Sequence, residues 1–173
     1  IADGQQAQVA LNARAQGASF YLDMPLGVHP DGFDAWRWQA CFAEGVSAGA
    51  PPDGFFARGQ DWGFRPPHPR RLREQRYACF IAGVRQMMRN AGIVRIDHVM
   101  GLHRLYWIPF GLAATEGAYV EYNHEELFAI LCLESHRAGT RIVGEDLGTV
   151  QPLIREGMLE HGFQRMYVAQ FSS

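Results

Sequence analysis

The sequence predicts an α/β fold built on a parallel sheet. Two patterns carry that expectation: four short apolar segments at residues 19–24, 93–99, 141–144 and 165–171, and helical periodicity in the stretches between them. Strand, helix, strand in repeated order implies right-handed crossovers, which pair the strands in parallel.

Each helix, the leading one included, has its own signal. Residues 5–16 read as a helix closed by Gly17. From 70 to 90, Tyr77, Ile81, Val84 and Met88 recur at helical spacing, with Gly92 as the stop before the next strand. Asn123 with Glu126 three residues on resembles a capping box, opening a helix through Leu127, Ile130 and Leu131 that ends near Gly139. Pro152 suits the first turn of a further helix, ended by Gly162. One connection is different in kind. Residues 27–69 are dense in proline, hold Gly45, Gly49, Gly54, Gly59 and Gly63, and include Trp36, Trp38 and Trp62. Loops of that length within compact domains are functional or disordered as a rule, and three tryptophans argue against disorder.

Composition narrows the partners. With 173 residues and 47% hydrophobic content, the chain can bury one core. It starts at Ile1 and stops at Phe171-Ser172-Ser173, directly after a strand-like run, so it reads as an internal piece of a longer chain. A formal charge of -2 leaves no basic stripe, which argues against nucleic acid and favours neutral substrates. Every one of the 16 Lys+Arg positions is Arg. Cys41, Cys79 and Cys132 are odd in number and scattered, so a disulfide framework is not expected and a reducing, cytoplasmic setting is. No apolar run approaches a membrane span and residues 1–10 lack a signal-peptide pattern.

Charges at the strand ends carry the functional argument. Alternation along 93–99 puts Arg95 and Asp97 on one face and Val94, Ile96 and His98 on the other. Ser19, Tyr21 and Asp23 form a similar polar face, and Arg141, Val143 and Glu145 align in the third strand. Parallel strands covered on both sides should be continuously apolar, and acidic residues at their C-terminal ends sit where barrel enzymes hold their chemistry. Asp97 fits either an ion pair with Arg95 or a nucleophile, and Glu145 either a solvated strand end or an acid. Taken together, two carboxylates on neighbouring strands are the equipment of glycoside chemistry, one attacking the anomeric carbon and the other protonating the departing oxygen.

Four motifs then stand in register: Gly49-Ala50-Pro51-Pro52-Asp53, Gly59-Gln60-Asp61-Trp62-Gly63, Arg95-Ile96-Asp97-His98 and Gly144-Glu145-Asp146-Leu147-Gly148. With Gly27-Val28-His29-Pro30-Asp31-Gly32, they make essentially the whole chain similar to the amylomaltases, the 4-alpha-glucanotransferases related to the α-amylase clan. The resemblance implies a piece of a (β/α)8 (TIM) barrel, about strands 3 to 6 with their helices. Residues 1–173 would belong to a single catalytic domain, with 27–69 as a lid-loop insertion.

By the same resemblance, Asp97 is the nucleophile that forms a β-glycosyl-enzyme, and Glu145 protonates the leaving sugar and then activates the acceptor. Arg95 and His98 contact the sugar at the cleavage point. Gln60 and Trp62 belong to the lid over the glucan, with Asp53 at its base. The implied partners are α-1,4-glucans and maltooligosaccharides, with no cofactor, metal or membrane. Gly54 stands where the family often has an aromatic residue, leaving Phe55 or Phe56 to replace that contact in part. The family's third carboxylate, on a later strand, has no counterpart here, and Asp146, which alternation turns away from Glu145's direction, reads as a loop or structural carboxylate. Two rival readings remain. One is a metal-dependent barrel lyase or isomerase with Asp97, His98, His103 and Glu145 as ligands, which alternation disfavours by turning Asp97 and His98 apart. The other is a non-catalytic carbohydrate-binding module.

Overall fold

The computed structural model describes residues 2–148 and 150–169. The chain divides into two compact units: residues 1–24, 81–99 and 125–173 form the first, and residues 25–80 and 100–124 the second.

The first unit holds a parallel sheet whose strands lie side by side in sequence order: β1 (Phe20–Met24), β4 (Ala91–Ile96), β7 (Arg141–Gly144) and β8 (Gln164–Arg165). Leu22 pairs with Val94, Asp23 with Arg95, and Ile96 with Gly144. This is the parallel order that the sequence predicts. The last strand is shorter than expected, since Met166 to Ala169 are not strand, and the expected strand residues 170–171 lie outside the described residues.

Helix α1 (Ala2–Ala15) precedes β1, and α4 (Ala78–Met88), α5 (His124–Ala138) and α6 (Pro152–Glu160) lie in the connections between the strands. Val84, Met88, Val94, Leu131, Ile142, Ile154 and Met158 are all but fully buried, and each large one contributes roughly 1.5–3 kcal/mol through burial. Gly144 is needed for this packing, because a Cβ there would stand 2.6 Å from the Met158 methyl carbon. Glycines at the ends of three helices behave as read from sequence. Gly17, Gly139 and Gly162 take φ of 75°, 64° and 70°, and the following residue closes each helix with a bond to Ala13, Ser135 or Met158.

Two sequence expectations need correction. The helix expected over 70–90 is broken into α3 (Pro69–Glu74) and α4. Arg76 and Tyr77 adopt φ of 51° and 57°, and the Tyr77 N–H reaches the Leu72 carbonyl at 2.7 Å, so α3 ends in the same motif as its neighbours but without a glycine. Gly92 does not stop a helix either. It lies inside β4, where a Cβ would come within 2.5 Å of Ser19 Oγ, so its role is close strand approach.

The second unit contains a sheet that the sequence did not reveal. Strands β2 (Val46–Ala50), β3 (Gln60–Asp61), β5 (Arg104–Pro109) and β6 (Ala118–Glu121) pair antiparallel in the order β3-β2-β5-β6. Thus residues 27–69, expected as one long loop, include two strands and the short helix α2 (Phe33–Arg37). Tyr106, Ile108 and Ala114 form a buried cluster, and the Tyr106 hydroxyl donates to the Ala114 carbonyl at 2.8 Å. Burial pushes the Tyr122 phenol up, and its hydroxyl donates to the Pro67 carbonyl at 2.6 Å. A proline-rich stretch is thereby tied to the sheet through carbonyls rather than N–H groups, which proline lacks.

Candidate active site

In the first unit the charged strand ends converge on one cation. The Arg95 guanidinium binds both oxygens of Asp23, at 2.6 and 2.7 Å, and Asp97 Oδ1 at 2.9 Å. The register explains the fork: Asp23 sits opposite Arg95 on β1, and Asp97 lies two residues beyond it, on the same face. Burial alone would lower the Arg95 pKa, but the Asp23 and Asp97 carboxylates outweigh it and raise it. The ion pair expected between Arg95 and Asp97 therefore exists, and Asp23 is its third member. Asp23 was visible in the sequence only as part of a polar face.

Glu145 follows β7 as Asp97 follows β4. Its N–H donates to the Ile96 carbonyl at 2.9 Å and its carbonyl accepts from the Val99 N–H at 3.0 Å, so the ladder between the strands brackets Asp97 and His98. The Glu145 side chain is held as well. Oε1 accepts from the Leu147 N–H at 2.7 Å and Oε2 from the His98 N–H at 3.0 Å. Neither donor had a signal in the sequence, since any residue but proline carries an N–H.

His98 departs from strict alternation. β4 ends at Ile96, and His98 takes the left-handed φ of 46°, so the face expected from the 93–99 period does not extend to it. Burial pushes its imidazole below the usual range, with the Glu145 and Asp97 carboxylates partly opposing. Asp146 is nearly fully buried and meets Arg165 Nε at 2.5 Å and Arg155 Nε at 3.5 Å, which is the structural role expected of it. Among the described residues no group of three or more His, Cys, Asp or Glu side chains could hold a metal ion.

Asp53, Gln60 and Trp62 belong to the second unit. Asp53 Oδ1 accepts from the N–H groups of Phe55 and Phe56, at 2.8 and 2.6 Å, so the carboxylate organises the turn that follows it. Phe55, beside Gly54, is 94% exposed. Gln60 opens β3 opposite Ala50, and the Trp62 N–H bonds to the Ala48 carbonyl at 3.0 Å while its ring stacks on Phe64 at 5.9 Å. Asp61, between them, takes the Ser47 hydroxyl and the Gly63 N–H. The structure thus gathers Arg95, Asp97, His98 and Glu145 within one unit and Asp53, Gln60 and Trp62 within the other.

A parallel α/β sheet with carboxylates at adjacent C-terminal strand ends defines the class of this protein. Residues 1–173 match the family model described as 4-alpha-glucanotransferase, and the chain belongs to that family. It is 49% identical over 162 residues to a 4-alpha-glucanotransferase of Mycobacterium tuberculosis, covering 92% of this chain and 22% of the relative. A 4-alpha-glucanotransferase of Haemophilus influenzae is 40% identical over 152 residues, covering 88% and 22% respectively. The crystal structure of amylomaltase from Corynebacterium glutamicum superimposes with a TM-score of 0.94 at 37% identity, over 98% of this chain and 24% of that one. An amylomaltase from Streptococcus agalactiae in complex with acarbose shares the fold at 24% identity, with a TM-score of 0.86 over 97% of this chain and 35% of that one. The chain therefore spans about a fifth of the length of these curated bacterial relatives.

Proposed function

We propose that this chain is part of a 4-alpha-glucanotransferase that moves α-1,4-glucan segments between maltooligosaccharides with retention of configuration. One observation carries the reading: Asp97 and Glu145 stand one step beyond the paired residues Ile96 and Gly144 on adjacent parallel strands, and Arg95 binds the Asp97 carboxylate. A carboxylate paired with a cation, with a second carboxyl group at the neighbouring strand end, supports a double displacement.

In the first step an Asp97 oxygen attacks C1 of the donor sugar. The bond from C1 to the glycosidic oxygen breaks, and that oxygen takes the proton of Glu145. In the second, Glu145 as carboxylate removes the proton from an acceptor hydroxyl, whose oxygen attacks C1 and frees Asp97. Arg95 and His98 bind the sugar at the cleavage point, and Asp53, Gln60 and Trp62 hold the chain in a lid. In this reading β1, β4, β7 and β8 are about strands 3 to 6 of a (β/α)8 barrel, within one catalytic domain, and the enzyme works on glycogen-type glucans or maltodextrins in the cytoplasm. Family membership and the 49% identical relative support the activity.

The test is D97N in the full-length protein. Disproportionation of maltotriose should fall by a factor on the order of 10³ or more, with maltotriose affinity within about tenfold of wild type, because the change removes charge more than shape. Substantial residual transfer would move the nucleophile to another residue.

A further inference from the structure

We propose that His98 is a positioning residue acting through its main chain: its left-handed backbone holds the Glu145 carboxyl in place beside Asp97. The proposal rests on the reading of Glu145 as acid/base and adds a role that the side-chain chemistry does not supply. Of the two N–H groups on the Glu145 carboxyl, that of Leu147 comes from the turn Glu145 itself begins. The His98 N–H is the one that ties the carboxyl to the end of the neighbouring strand. It also belongs to the peptide bond that joins His98 to Asp97, so a single planar unit links the nucleophile to the acid.

The ladder explains why the link needs an unusual backbone. Main-chain bonds run from Glu145 to Ile96 on one side and from Val99 to Glu145 on the other, leaving the N–H of His98 between them to find another acceptor. At φ of 46° it finds Glu145 Oε2. Side chains with a Cβ seldom occupy this region, although His, Asn and Asp are enriched in it.

Glycine and alanine separate the backbone from the imidazole, since both remove the ring but only glycine accepts a positive φ without strain. The experiment compares H98G and H98A in the full-length protein with two donors. Maltotriose must have its leaving oxygen protonated. From α-maltotriosyl fluoride the C1–F bond breaks with its electron pair leaving on fluoride, and no proton is required. We expect H98A to fall at least about tenfold below H98G in kcat on maltotriose, with single-turnover fluoride release alike within about threefold. Equal kcat values on maltotriose would overturn the proposal, and so would an H98A deficit of the same size on both donors. E145Q is the control for the underlying reading. If E145Q does not favour the fluoride donor, the acid/base assignment falls and the proposal with it. If E145Q does favour it while H98A and H98G behave alike, the proposal alone falls.

Discussion

The first unit ends its parallel strands in charge, whereas the second holds its antiparallel strands together by close backbone approach. In the first, Asp23, Arg95, Asp97, Glu145 and Asp146 cluster at the ends of β1, β4 and β7, each with a named ionic or hydrogen-bonding partner. In the second, Gly49 lies so near β3 that a Cβ would stand 2.0 Å from the Gln60 carbonyl oxygen, and Tyr106, Ile108 and Ala114 form a buried cluster. Charge at a strand end is costly to bury unless paired, and each of these side chains has its partner. Close approach marks positions held for shape.

The largest effect that this contrast predicts is the loss of transfer in D97N, with binding retained. Next in size is a pair of substitutions in the second unit. G49A should destabilise by roughly 1–3 kcal/mol, because the new methyl group meets a backbone oxygen that cannot swing away. G54A has nothing within 4 Å and should stay within about 0.5 kcal/mol of wild type. Urea denaturation of both variants decides the matter, and equal midpoints would show that the Gly49 contact relaxes freely.

A smaller effect is expected from W62A. If the second unit binds glucan rather than reacting with it, losing one aromatic face should raise KM for maltotriose by roughly 3- to 10-fold and leave kcat within about twofold. A drop in kcat with unchanged KM would erase the division of labour between the units.

The smallest prediction concerns acid. Burial lowers the folded-state pKa of His98 while the unfolded chain keeps about 6.5, so the unfolded state takes up the proton first. The contribution is intact above about pH 6.5 and is lost as pH falls towards the folded value, at no more than about 1.4 kcal/mol per pH unit. Unfolding free energies measured at pH 7.5 and 5.5 should therefore drop more for wild type than for H98G. An identical drop would assign the acid sensitivity to other groups.

The parallel order was legible in the sequence, and β1, β4 and β7 each contain a short apolar run with a helix before the next strand, whereas β8 is Gln164-Arg165 and meets the run expected at 165–171 only at its first residue. Also legible were the shared face of Arg95 and Asp97, which follows from period-2 alternation, and a structural carboxylate as one of two readings of Asp146. The break between α3 and α4 was not, because Arg76 fills the left-handed position usually given to glycine. Nor was the antiparallel sheet, whose β2 is Val46-Ser47-Ala48-Gly49-Ala50, small residues with little strand propensity of their own.

Local pattern by itself determined the α/β class, three glycine-closed helices and the candidate carboxylates Asp97 and Glu145, since each depends on residues near one another in the chain. Only the tertiary structure decided that Arg95 is shared with Asp23, that β2 pairs with β5, and that the His98 N–H meets Glu145. Those contacts join residues 72, about 60 and 47 positions apart, and a hydrogen-bond donor on the main chain leaves no mark in the sequence until the fold brings its acceptor within 3 Å.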